Sequence, residues 1–356
     1  MNATSTTIDL DDTEALLGAD RDGLLRAASM AGAQVRATAA AADEGALDAV
    51  GGQDRPRTLI WVAGRGTAET AGAMLAAAAG GVTAAPIVLA AEVPPWIGPL
   101  DVLVAAGDDP GDPALVTAAA TGVRRGARVA VAAPYTGPLR DSTAGRVAVL
   151  EPRLSVPDEF GLPRYLAAGL AVLNSVDDGL RTDLAALADE LDAEALRNSA
   201  GREVFTNAAK NLADRLAGRR VVLAGDCAAT LALARHAAMI LLRTADTVAA
   251  ATGLADALVA VHAQHAGGDA AADLFHDEQI DGPVAARLRV LALTLAAERP
   301  VVAARIGGLT DVDLVGVQDA PDAPLASGGV GRAELQLAVL AVRLEMAAVY
   351  GRLMRG

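Results

Sequence analysis

Two short turns carry most of the chemistry that this sequence offers. The first is Gly64-Arg65-Gly66-Thr67, between the apolar run Thr58–Ala63 and an alanine-rich helical segment, Ala68–Ala79. Such a turn at a helix start can present backbone N–H groups, the Thr67 hydroxyl and the Arg65 guanidinium to an anion. The second is Gly107-Asp108-Asp109-Pro110-Gly111-Asp112-Pro113, between the apolar run Asp101–Ala106 and a helix expected over Thr117–Arg125. Its setting is the same but its charge is reversed. One carboxylate about 5 Å from a phosphate charge repels it by roughly 3 kcal/mol at an effective dielectric of ~20. A helix N-terminus returns only ~1–2 kcal/mol to an anion. The plainer role of Asp109 and Asp112 is to cap the helix at its positive end. In either role they disfavour a phosphate at this turn.

Other constellations are weaker. A dinucleotide fingerprint starting at Gly64 needs glycine where Glu69 stands, so that reading fails. His262 and His265 are spaced for one helix face, and His276 or Asp277 could join them on a metal. No second ligand set accompanies them, so no metal is expected. His276-Asp277-Glu278 could move a proton. Asp226 and Cys227 open a helix, where a thiolate is favoured, although a small buried cysteine is the simpler reading. Arg235 and His236 lie along that helix. Lys210 is the only lysine in the chain and is expected at the surface.

These turns must be held by a layered α/β scaffold. The chain has 356 residues, 53% of them hydrophobic and 2% aromatic, so Ala, Val and Leu must build its core. Small side chains suit close packing of helices on sheets. The net charge of −14 argues against nucleic acid and against anionic membrane surfaces. Cys227 stands alone, so no internal disulfide forms and a cytoplasmic setting is expected. No signal peptide or membrane span is legible.

Along the chain, residues 1–12 read as a frayed tail and Asp20–Ala46 as one or two helices. A βα rhythm follows, with strands at Thr58–Ala63, Pro86–Ala90, Asp101–Ala106 and Arg128–Ala132 and an edge strand within Arg146–Leu150. Helices are expected over Pro163–Val176 and Arg181–Leu191. The rhythm returns with a helix at Val204–Leu216 and strands at Arg220–Ala224, Thr247–Ala251, Leu288–Leu293 and Val312–Val317. Helices run over Ala228–Arg243, Gly253–His265 and Ala297–Ile306, and an amphipathic helix, Glu334–Leu353, closes the chain. Residues 267–282 and 318–329 read as loops. Apolar strands without alternation imply parallel sheets covered on both faces. The openings Trp61–Thr70 (WVAGRGTAET) and Val222–Leu231 (VLAGDCAATL) echo each other. The expected organisation is a helical extension (1–57), a first domain (58–192) and a second domain with the closing helix (193–356).

With these elements placed, the chain resembles the bifunctional phosphoglucose/phosphomannose isomerases, and most of all their divergent actinobacterial members labelled TobH. The likeness rests on ordered segments: the turn at Gly64–Thr67, the stretch Asp101–Ala133 with Arg124-Arg125-Gly126-Ala127-Arg128-Val129, Leu162-Pro163-Arg164-Tyr165-Leu166-Ala167, Asn207–Leu216 with Val221–Ala224, and Val349–Gly356. It implies two flavodoxin-like sugar-isomerase (SIS) subdomains in tandem, a homodimer and a small carbohydrate ligand without a cofactor. It also implies what has changed. The family's Ser-x-Ser-Gly-Asn-Thr phosphate loop falls on Gly107, Asp109 and Asp112. Its catalytic glutamate falls near Leu242, its histidine segment reads Thr252–Ala257 without a histidine, and its C-terminal lysine has no match. Arg164 survives in register.

The expected function is therefore binding of a carbohydrate derivative through Gly64, Arg65, Gly66, Thr67, Asp109, Asp112 and Arg164, with the standard isomerase chemistry lost. One alternative is a working glucose-6-phosphate or mannose-6-phosphate isomerase that uses Glu69, His236 or His276. The other is a regulatory or scaffold protein of mannose metabolism.

Overall fold

A computed structural model describes residues 7–52, 54–177, 179–267, 287–319 and 332–355, with only the backbone at 266 and 267. Among these residues the chain forms two parallel sheets. The first contains β1 (Thr58–Ala63), β2 (Ile87–Ala90), β3 (Asp101–Ala106), β4 (Arg128–Ala132) and β5 (Ala148–Val149), in the order β2-β1-β3-β4-β5. The second contains β6 (Arg220–Gly225), β7 (Ala249–Gly253), β8 (Leu288–Leu293) and β9 (Val312–Val315), in the order β7-β6-β8-β9. Every pairing is parallel. The thirteen helices of the described residues are α1 (Thr13–Ala19), α2 (Leu24–Ser29), α3 (Ala31–Asp43), α4 (Thr67–Ala79), α5 (Pro113–Arg124), α6 (Gly137–Thr143), α7 (Leu162–Val176), α8 (Leu184–Arg197), α9 (Ala208–Leu216), α10 (Ala228–Ala245), α11 (Leu254–Gly267), α12 (Arg299–Ile306) and α13 (Ala333–Leu353).

The two sheets repeat one connectivity. In each, the first strand lies inside, with the second strand on one side and the third on the other. The chain therefore changes direction between β1 and β3, and again between β6 and β8. A crevice opens outside the carboxyl ends of two strands at such a switch point, and ligands of open α/β sheets bind there. Both openings that echo each other in sequence lie at these points.

Two compact units result. Residues 23–196 and 332–342 form the unit of the five-stranded sheet, and residues up to 22, 197–331 and 343–356 form the unit of the four-stranded sheet. The core of the five-stranded unit shows how an aromatic-poor chain seats its largest side chain. Trp61 of β1 is 1% exposed, and its indole Nε1 donates to the Ala68 carbonyl at 3.0 Å. A Cβ on Gly72 of α4 would lie 2.4 Å from Trp61 Cδ1, and one on Gly169 of α7 would lie 3.1 Å from its Cζ3. Two glycines thus open the slot that the indole fills, and any side chain at Gly72 would push it out.

Several expectations change. From Thr7 onward the N-terminal segment is held. Ile8 N donates to the Met354 carbonyl at 3.0 Å, and the Asp11 carboxylate accepts from Val204 N at 2.8 Å. Asp12 then caps α1, accepting from Ala15 N. Helix α5 starts four residues earlier than expected, because Asp112 caps it and Pro113 takes the first helical position. Helix α13 is not amphipathic. Residues Leu337 to Tyr350 are buried on every face, with Arg343 and Glu345 among them. Its polar residues suggested a wet side, but they are paired inside the protein. The loops read at 267–282 and 318–329 fall almost wholly outside the described residues.

Candidate functional site

The crevice between β1 and β3 brings the two turns of the five-stranded unit together. Gly64 directly follows β1 and Gly107 directly follows β3. Gly66 has φ +67°, a left-handed conformation that favours glycine, and it sets the first turn of α4. A Cβ on Gly64 would lie 2.3 Å from Asp112 Oδ2, so the Asp112 carboxylate rests against the first residue of the opposite turn. Its other oxygen accepts from Ala114 N at 2.8 Å and caps α5. Asp109 accepts from Gly111 N at 2.8 Å in an Asx turn. Asp112 thus serves the capping role that the sequence offered, whereas Asp109 holds the turn before the helix. One of them also places negative charge where the first turn could have cradled an anion.

Thr67 is 5% exposed, and its hydroxyl donates to the Asp158 carbonyl at 3.0 Å. The threonine therefore ties α4 to the turn before α7, and the donor of its hydroxyl is already engaged. Arg65 and Glu69 are exposed. Arg164, in the first turn of α7, is half-buried. Its guanidinium lies 4.3 Å from the Tyr165 ring centroid and donates to the Tyr165 hydroxyl at 2.6 Å. Burial pushes the Tyr165 phenol up to about 12, the Arg164 charge lowers it in part, and Asp108 and Asp158 raise it further. Tyr165 therefore stays protonated near neutral pH and acts as a rest for Arg164. Its role was not foreseen, although it stands next to Arg164 in the motif that drew attention. The structure thus brings the two turns together through Asp112 and Gly64.

The remaining candidates lie elsewhere. His236 of α10 is 1% exposed, and its Nε2 is 2.7 Å from Glu345 Oε1 of α13. That places it in the core of the four-stranded unit, where a substrate does not reach it. His276, Asp277 and Glu278 lie outside the described residues. His262 is exposed and bonds the Leu258 carbonyl through Nδ1 at 2.7 Å. His265 pairs with Asp311 at 3.1 Å. Among the described residues no group of three or more His, Cys, Asp or Glu side chains could hold a metal. Cys227 is half-buried rather than buried, and forms a capping box with Thr230 at the start of α10. Asp226 beside it pairs with Arg305 at 2.5 Å.

Lys210 corrects the sequence reading most plainly. It is wholly buried, not at the surface. Its Nζ donates to the carbonyls of Ala200 and Arg202, each at 2.7 Å, and lies 5.6 Å from the Tyr350 ring centroid. The Tyr350 hydroxyl in turn donates to the Asn198 carbonyl at 2.6 Å. Burial lowers the Lys210 pKa, and Asp11 and Asp9 oppose that shift.

The His236–Glu345 pair makes stability depend on pH. Glu345 is completely enclosed, and burial raises its carboxyl above the ordinary value of 4.5, although the bond to His236 opposes the shift. As pH rises past that ordinary value, the unfolded chain releases the proton while the native state keeps it. Folding then takes up a proton, and stability declines towards the raised native value by at most about 1.4 kcal/mol per pH unit. Glu345→Gln removes this titration and keeps an oxygen acceptor for His236. Urea unfolding between pH 5 and 8 should give a flatter profile for the variant than for the parent. Parallel profiles would refute the assignment.

No family model and no curated protein matches this chain. Solved structures do. A candidate phosphosugar isomerase from Silicibacter pomeroyi superposes with a TM-score of 0.61 at 18% identity, covering 92% of this chain and 95% of its own. Another candidate phosphosugar isomerase, from Clostridium difficile, gives 0.61 at 10% identity over 92% of each chain. Tagatose-6-phosphate ketose/aldose isomerase from Escherichia coli gives 0.60 at 12% identity, over 99% of this chain and 96% of that one. The fold is thus the sugar-isomerase (SIS) fold, with two such α/β subdomains in tandem. Among the described residues, no helix is long and apolar enough to cross a membrane.

Proposed function

We propose that this chain binds a small carbohydrate derivative in the β1/β3 crevice, as a descendant of aldose–ketose sugar-phosphate isomerases that has lost their standard catalytic groups. The observation that carries this reading is the Asp112 carboxylate set against Gly64, on a scaffold shared with phosphosugar isomerases. Arg164, steadied on Tyr165, and the N–H groups of Gly64–Thr67 are the proposed contacts to ligand hydroxyls. Asp109 and Asp112 accept from hydroxyl or amino groups and turn a phosphoryl group away. The ordered motifs favour the bifunctional phosphoglucose/phosphomannose isomerases, and their TobH-like members, as the nearest branch. The same resemblance makes a cytoplasmic homodimer the proposed working form.

A thermal-shift series with glucose, glucosamine, glucose 6-phosphate and mannose 6-phosphate tests the reading, alongside Arg164→Ala. Uncharged or amino sugars should stabilise the parent protein, and Arg164→Ala should lose that response. A coupled assay should detect no interconversion of the sugar phosphates. Turnover that Arg164→Ala abolishes would show a working isomerase instead. A stable protein partner, with no response to any sugar, would favour the scaffold role.

A further inference from the structure

The four-stranded unit has a cleft of its own, away from its strand switch point. It holds about 240 Å³ between one side of α9, the end of β9 and the turn after it, and its lining includes Phe205, Asn211, Arg215, Leu314 and Asp319. Three features distinguish it from an ordinary surface hollow. Phe205 is 71% exposed, more than Trp96 at 47%, whereas Trp61, Phe160, Tyr165 and Tyr350 are buried. The ring is not on a loose loop. It sits in a short 3-10 turn, Val204–Thr206, pinned by the bond from Val204 N to Asp11 and by the Asn207 cap of α9.

The polar groups of the cleft have unused capacity. Asn211 and Arg215 are four residues apart on α9 and share one face. Among the described residues no hydrogen bond engages the Asn211 amide. Arg215 has one long contact, 3.3 Å to Asp313 Oδ1, and Asp313 is already held by both prongs of Arg289 at 2.6 Å. Most of the five donors of Arg215 are therefore available. Asp319, the one acid of the lining, is occupied by both prongs of Arg299 and by Gly316 N. Arg343 adds positive charge to the wall while donating to the Gly316 carbonyl. The cleft is locally cationic, in a chain whose net charge is −14.

We propose that this cleft is a second binding site, for a single saturated ring that carries one phosphate or carboxylate group. The apolar face of the ring lies on Phe205, the anionic group meets Arg215, and Asn211 bonds a ring hydroxyl. The volume suits one ring and is below the range of clefts that hold drug-sized ligands. The inference does not depend on the reading of the β1/β3 crevice.

Calorimetric titration of the full chain with glucose 6-phosphate, glucuronate and inorganic phosphate tests it. Either or both of the ring anions should bind saturably, and inorganic phosphate should bind at least tenfold more weakly. Phe205→Ala should weaken ring-anion binding roughly tenfold, and Arg215→Gln should weaken it as much or more. Arg164→Ala should leave it unchanged. The proposal fails if no ring anion binds, if Phe205→Ala binds as the parent does, or if inorganic phosphate matches the ring anions. Loss of binding in Arg164→Ala alone would assign the anion to the crevice and overturn both readings. Sedimentation of Phe205→Ala gives a separate check. A smaller species than the parent would show that the ring contacts another subunit, and would overturn the proposal.

Discussion

Replacing Asp109 and Asp112 together with serine should open the β1/β3 crevice to a hexose 6-phosphate. Both serines keep an oxygen where the aspartates now accept from Gly111 N and Ala114 N, so the Asx turn and the α5 cap survive in weakened form. Two negative charges disappear, one of them lying against Gly64. At about 5 Å and an effective dielectric of ~20 each is worth roughly 3 kcal/mol against one phosphate charge. Solvent around the exposed Asp109 reduces its share. Hexose 6-phosphate affinity should therefore rise by about a hundredfold, and the gain should shrink as salt is added. Calorimetric titration at two ionic strengths measures it. Adding Phe205→Ala to the background keeps any contribution from the cationic cleft apart. If the double variant binds hexose phosphate no better than the parent, electrostatic exclusion is not what shapes this crevice.

The second large effect concerns Lys210. Its ammonium satisfies the carbonyls of Ala200 and Arg202 inside the protein and faces the ring of Tyr350. Lys210→Met keeps the length of the side chain and much of its packing but leaves the Arg202 carbonyl without its donor and the Ala200 carbonyl with only the Thr13 hydroxyl, at 3.2 Å. An orphaned buried acceptor costs about 1–3 kcal/mol, and relief of the ammonium's desolvation offsets part of that. A net loss of about 1–3 kcal/mol is expected, read as a lower midpoint in urea at an unchanged slope. Lys210→Arg should not rescue it, because a forked guanidinium does not fit a site shaped for a point charge. A Lys210→Met variant as stable as the parent would show that the carbonyls find other partners.

The sequence announced the sheets better than the pairs that lock them. Strands β1, β3, β4 and β8 lie where their apolar runs put them, since buried parallel strands need continuous hydrophobicity. The echo between the two openings was a true sign of repeated connectivity. Capping by Asp112 was also legible, because an aspartate before a proline at a helix start has a local physical role. Its contact with Gly64 was not, because 48 residues separate the two and only strand order brings them together. The His236–Glu345 bond spans 109 positions and leaves no spacing to read. Lys210 was misplaced for a similar reason. Its partners are main-chain carbonyls, and a carbonyl carries no residue identity. The polar residues of α13 suggested a face towards water, whereas Arg343 and Glu345 have their partners in the interior.

Helix α13 also bears on how the molecule comes into being. Its first turns belong to one compact unit and its later turns to the other, yet it follows every described strand of both. A nascent chain that has made the nine strands of the described residues still lacks a helix that both units share. Domains commonly fold one after another as they leave the ribosome. Here α13 contributes to both units, so neither core is complete before that helix has been made, and the folding of the two is coupled through it.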